Sequence, residues 1–170
     1  MGPEALRARL IASNIADPQD IEGCTPEEID HLVSRFGPLP ESYRDILSVI
    51  GHRAGRLVDD HADWVYFDQL GRINRQARDV IDEYAEDDID PDVPEEALFI
   101  AAHHGEKPMY LLAEGHADSA VWVLDFASGR VKKVHDSVWA WIEELLVSAE
   151  AAIAAGEPEH NSRRAPDLQD

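Results

Sequence analysis

Residues 97–146, ALFIAAHHGEKPMYLLAEGHADSAVWVLDFASGRVKKVHDSVWAWIEELL, constrain this chain more than any other stretch. Short apolar runs at 98–102, 109–113 and 120–126 are rich in β-branched and aromatic residues, and Gly, Pro, Asp, Ser and His separate them. That pattern predicts an antiparallel meander. AVWVLDF is apolar at nearly every position, which predicts a central strand covered on both faces. Ser128-Gly129 turns the chain into a fourth strand over 131–134. Ser137 then caps a closing helix over 138 to about 155, with Val138, Trp141, Ile142, Leu145 and Ala149 on one face and Gly156 at its C-terminal end.

Upstream the period is helical. A short helix over 3–12 places Leu6, Leu10 and Ile11 on one side, and a polar connector with Pro18 and Gly23 follows. Thr25 is a good N-cap, Pro26 fits the first helical position and Glu28 completes a capping box. Ile29, Leu32, Val33 and Phe36 then make one apolar stripe that Gly37-Pro38 stops. Tyr43, Ile46, Leu47 and Ile50 repeat that spacing over 41–50, so the two helices form an angled pair. Residues 51–63 read as a polar loop and 64–67 as a short strand. Asp68 opens a third helix running through Tyr84, its inner face formed by Leu70, Ile73, Ala77, Val80, Ile81 and Tyr84, with Gly71 in its first turn.

A chain of 170 residues, 44% hydrophobic, can bury one substantial core, so a single domain is expected. No apolar run approaches the roughly 18 residues that span a bilayer. MGPEALRARL lacks the apolar centre of a signal peptide, which implies a cytoplasmic protein. One cysteine, Cys24, is read as excluding an internal disulfide and any Cys-based zinc site. Fifteen Lys+Arg against 35 Asp+Glu give a net charge of -20. Nucleic acid and anionic membrane are disfavoured as direct partners, because both reward Lys and Arg. A basic protein partner is favoured by the same field, and simple solubility is the other reading.

The order of elements resembles the SUKH superfamily, named for fungal cell-wall-synthesis regulators and their bacterial relatives. The resemblance covers roughly residues 25–147. Its most specific pieces are Leu39-Pro40 with Tyr43 and Leu47, the AVWVLDF strand, and the opening of the last helix at Ser137 and Trp141. It implies an α+β fold: a single SUKH-type domain with a mainly antiparallel β-sheet flanked by α-helices. On this division 1–24 is an N-terminal helix and connector, 25–156 the domain, and 157–170 a disordered acidic and polar tail. Members often carry a Gly-Asp pair after the first strand of the central block, where this chain has His103-His104-Gly105-Glu106-Lys107. The resemblance further implies a non-enzymatic immunity protein without a cofactor, binding a cognate toxin domain, often a nuclease, of a polymorphic toxin system. A general regulatory interaction module is the alternative.

Residues 82–96, DEYAEDDIDPDVPEE, hold nine carboxylates and no basic residue. Asp82, Glu83, Glu86, Asp87, Asp88, Asp90, Asp92, Glu95 and Glu96 are therefore the first candidates for contact with a basic toxin surface; a solvated acidic loop is the plain alternative. Acids in the last turn of a helix oppose its dipole, at about 0.3–1 kcal/mol each. Glu106, in the turn where the family pattern breaks, joins them. So does Trp139, which points away from the Trp141 face and either anchors an interface or covers the sheet edge. For a metal, Asp59, Asp60, His61 and Asp63 cluster in one loop, the basis of a third reading as a metal-dependent hydrolase. His103 and His104, in strand geometry, face opposite ways. No HExxH, GxSxG or phosphate-binding glycine loop is present, so no catalytic or metal residue is assigned.

Overall fold

In the computed structural model, which describes residues 1–58, 62–86 and 88–157, the chain opens with α1 (Pro3–Ala12), whose Leu6 and Leu10 are wholly buried. Ile11, expected on the same side, is instead 37% exposed. The connector is less irregular than its polarity suggests. It makes a single 3₁₀ turn at Pro18–Asp20 and then a two-residue strand, β1 (Ile21–Glu22). Next, α2 (Pro26–Phe36) starts on the expected capping box: Thr25 Oγ1 accepts from the Glu28 N–H, and the Glu28 carboxylate accepts from the Thr25 N–H at 2.8 Å. For α3 (Glu41–Ile50), preceded by Pro40, no side chain caps the N-terminus. Its first N–H groups are satisfied by the chain itself, Glu41 donating to the His116 carbonyl and Ser42 to that of Ala117.

The loop expected over 51–63 contains β2 (Arg53–Ala54), which pairs antiparallel with β1; Ala54 and, beyond the strand, Leu57 are buried. The strand expected over 64–67 is displaced. It is β3 (Asp63–Trp64), and Phe67 already begins α4 (Phe67–Glu86). The central block then delivers β4 (Ala97–His103), β5 (Lys107–Leu112), β6 (Val121–Asp125), β7 (Arg130–His135) and α5 (Val138–Ala154). Ser137 caps α5 by accepting from the Ala140 N–H. At its far end Gly156, at φ +70°, lets Glu157 N–H reach Ala152 O and Gly156 N–H reach Ile153 O, the paired bonds of a Schellman motif. The tail expected over 157–170 lies, past Glu157, outside the described residues.

Strands β3 to β7 form one antiparallel sheet in sequence order. The AVWVLDF strand, expected at the centre, is β6, next to the edge and only partly covered. The strand buried on both faces is β4, whose first six residues are all buried. Its alternation is broken by a bulge between Phe99 and Ala101. Ala97, Phe99 and Ala102 face Ile73 and Ala77 of α4, together with Tyr110 and Leu124. Leu98, Ile100 and Ala101 join Leu111 and Val121 in the larger core with α1, α2, α3 and α5. The result is three layers, α4 on one face of the sheet and four helices on the other, an α+β fold.

Only two β3 residues pair with β4, at Asp63↔His103 and Trp64↔Ala102. Beyond them a side chain takes over. Asn74 of α4, 5% exposed, accepts from the Phe99 N–H at 3.0 Å and donates to the Phe99 carbonyl at 2.7 Å. One amide thus supplies the donor and the acceptor that a neighbouring strand would have given. Arg78 continues the arrangement by donating to the Ala97 carbonyl at 2.9 Å.

Candidate functional site

The acidic stretch begins inside the last turns of α4. Asp82, Glu83 and Glu86 occupy its C-terminal end, which carries no basic residue. The helix does extend past Tyr84, so these acids oppose the dipole as expected. Ile89 N–H reaches back to Tyr84 O and Asp88 N–H to Ala85 O, with Asp88 at φ +58°. This is a Schellman-type stop with an aspartate where glycine is the unstrained choice. Asp92 also sits at positive φ, its N–H held by the Asp90 carboxylate at 2.9 Å.

The rest of the connection to β4 is anchored by its few apolar residues. Pro91 is buried, Val93 packs on the smaller core, and a Cβ placed on Gly129 would lie 3.4 Å from Ile89 and 3.5 Å from Tyr84. The Tyr84 hydroxyl donates to the Phe126 carbonyl. At the far end Ala113 N–H donates to Glu96 O. The acidic stretch is therefore a strap laid across the α4 face of the sheet. Asp82, Glu83, Glu86, Asp88, Asp90, Asp92, Glu95 and Glu96 are all exposed, and none forms a salt bridge among the described residues; Asp87 lies outside the described residues. Asp92 reaches one interior group: burial first, and then its negative charge, push the Tyr110 hydroxyl up to about 12.

Two further candidates fall at opposite ends of the sheet. Glu106 is exposed in the β4–β5 turn, and its carbonyl accepts from the Phe126 N–H. Phe126 is also the residue that Tyr84 holds, so the structure brings Glu106 to the same end as the start of the strap. Trp139 is half-buried in the first turn of α5, packed on the edge of the larger core. That places it near the Val121↔His135 pair, across the sheet from the β6–β7 turn.

His103 and His104 correct the strand-based expectation. His104 leaves the strand at φ +49°, so the two rings meet edge to face with centroids 4.3 Å apart. His103 Nδ1 lies 2.6 Å from the Asp63 carboxylate. Asp59, Asp60 and His61, the other members of the loop considered for a metal, lie outside the described residues.

A different constellation had no signal in residue spacing. His52, just after α3, holds two carboxylates: Nε2 is 3.1 Å from Glu28 and Nδ1 is 3.1 Å from Asp68. Burial works against protonating its ring, but the Asp68 and Glu28 hydrogen bonds and charges outweigh it and raise the pKa. The Glu28 carboxyl is held below its usual range, chiefly by the Thr25 backbone N–H and then by His52. Beside them Cys24 is buried, and desolvation followed by the Glu28 and Asp68 charges pushes its thiol up to about 12. Three elements separated by sequence meet here through α2–α3 packing, which no local pattern encodes.

No curated protein and no solved structure matches the chain. No helix among the described residues is long and apolar enough to cross a membrane. A family model does match, over residues 23–144, from the residue before Cys24 to the middle of α5. With the antiparallel sheet and its flanking helices, that match establishes that the chain belongs to the SMI1 / KNR4 family (SUKH-1).

Proposed function

We propose that this chain is an immunity protein acting in the cytoplasm, and that it neutralises a toxin domain by binding a basic surface with the carboxylates of residues 82–96 and Glu106. The family includes toxin immunity proteins, which supplies the class of function. The observation that carries the site is the strap, which presents eight exposed carboxylates with no salt-bridge partner among the described residues. A nuclease presents Lys and Arg to phosphate, so a carboxylate array of this kind competes for the same groups. Close charge pairs across such interfaces couple by about 1.5–7 kcal/mol, and the field of a chain at net charge -20 speeds the encounter. The inhibition is by occupation and needs no catalysis.

Co-expression with the cognate toxin domain tests the reading. Protection of the host cell is expected. Loss of viability with both proteins soluble would reject it.

A further inference from the structure

The strap leaves the Cys24 cluster without a role. Cys24 sits before the N-cap of α2, Glu28 in its first turn, and His52 after the end of α3. Their ligand atoms, one from each, all lie within 4.8 Å of one another. The hydrogen bonds of His52 to Glu28 and Asp68 account for those three side chains. They do not account for Cys24, which is 8% exposed and whose thiol makes no hydrogen bond among the described residues. Room for that thiol depends on Gly51, where a Cβ would stand 2.2 Å from Cys24 Sγ.

We propose that Cys24, Glu28 and His52 bind one divalent cation of the zinc class. A thiolate and an imidazole select a borderline-soft ion over calcium or magnesium, and a carboxylate completes a mixed set that zinc accepts. Asp68 acts from behind. By accepting from the Nδ1–H of His52 it fixes the ring orientation and leaves Nε2 for the metal, the arrangement by which outer carboxylates support metal-bound histidines. On binding, the Cys24 thiol proton and the Nε2 proton of His52 pass to water. Thiolate and Glu28 carboxylate then balance the charge of the cation. Three protein ligands leave a fourth position for water. The ion would tie the start of α2 to the segment that follows α3, while Asp68 carries the tie into the first turn of α4. The site is separate from the carboxylate strap and does not depend on the immunity reading.

Cobalt titration of the chelator-stripped full chain tests this directly. One equivalent is expected to produce a thiolate-to-cobalt charge-transfer band, which zinc then abolishes by displacement. Cys24 is the single cysteine, so the band identifies its ligand without any substitution. Asp68→Asn should weaken binding by about 10–100-fold while retaining the band. Saturating cobalt without a charge-transfer band would overturn the proposal, as would a Cys24→Ser protein that binds as tightly as the wild type.

Discussion

On α5, Glu143 and Glu150 both close on Arg9 of α1, at 2.7 and 2.9 Å, and Ser13 donates a further hydrogen bond to Glu150. Along 82–96, carboxylates of the same kind face solvent with no salt-bridge partner among the described residues. The first pair stitches the N-terminal helix to the last one, drawing residues before the family match at 23–144 into the larger core. The second set contributes no such tie. It is carried by Pro91, Val93 and Tyr84, and it burdens the end of α4. Acids engaged within the fold and acids held out by it should therefore respond oppositely when changed.

The largest effect is expected where a polar group is most deeply engaged. Asn74→Leu strands the Phe99 N–H and carbonyl, at about 1–3 kcal/mol for each group left unpaired. The urea midpoint should fall with an unchanged slope. An unchanged midpoint would show that the β4 edge finds other partners. Next comes the strap. Glu83→Lys with Glu86→Lys should slow association with the toxin about tenfold or more at low salt and flatten its salt dependence. The same change should stabilise the free protein, by about 0.3–1 kcal/mol at each position, because cations suit a helix C-terminus. Slower binding without added stability would place the acids in the interface but remove the dipole argument. Unaltered kinetics would remove the helix end from the interface altogether.

Smaller effects test the engaged acids. Thr25→Ala removes the N-cap and should cost about 1 kcal/mol in thermal or urea unfolding. For Glu150, the Arg9 hydrogen bond and then that of Ser13 hold the carboxyl at about 2 in the folded chain, below its ordinary 4.5. A depressed acid stabilises the fold above its unfolded pKa and loses that contribution as pH falls through the folded value. The gap in melting temperature between wild type and Glu150→Gln should therefore persist at neutral pH and close between 4.5 and about 2. A gap independent of pH would assign the effect to packing.

Much of this architecture was legible in the residues. Thr25-Pro26 with Glu28 marks one helix start and Ser137 another, because capping chemistry is local. The meander shows in its β-rich runs for the same reason. The β1–β2 pair does not, since two residues establish no period. β6 departs from expectation because an apolar run fixes neither a strand's place in the sheet nor how fully it is covered. Asn74 carries no local signal, because its role depends on the Phe99 backbone twenty-five residues away. The acidic segment was visible as composition. Its attachment through buried Pro91 and partly buried Val93 shows only in the packed sheet. Cys24 and Glu28 share one helix start, but His52 reaches them through tertiary packing alone.

The way Asn74 and Arg78 close the outer side of β4 bears on how another protein can dock. A sheet offers two borders at which a foreign strand could zip on by backbone pairing. One ends in β3, only two residues long, beyond which those two side chains take up backbone groups of β4. The other, β7, displays Arg130, Lys132 and Lys133 at exposed positions and so repels a cationic visitor. Under the proposed reading, a basic partner would gain little from strand addition at these borders and would be met by side chains, which can change without disturbing the ladder beneath them.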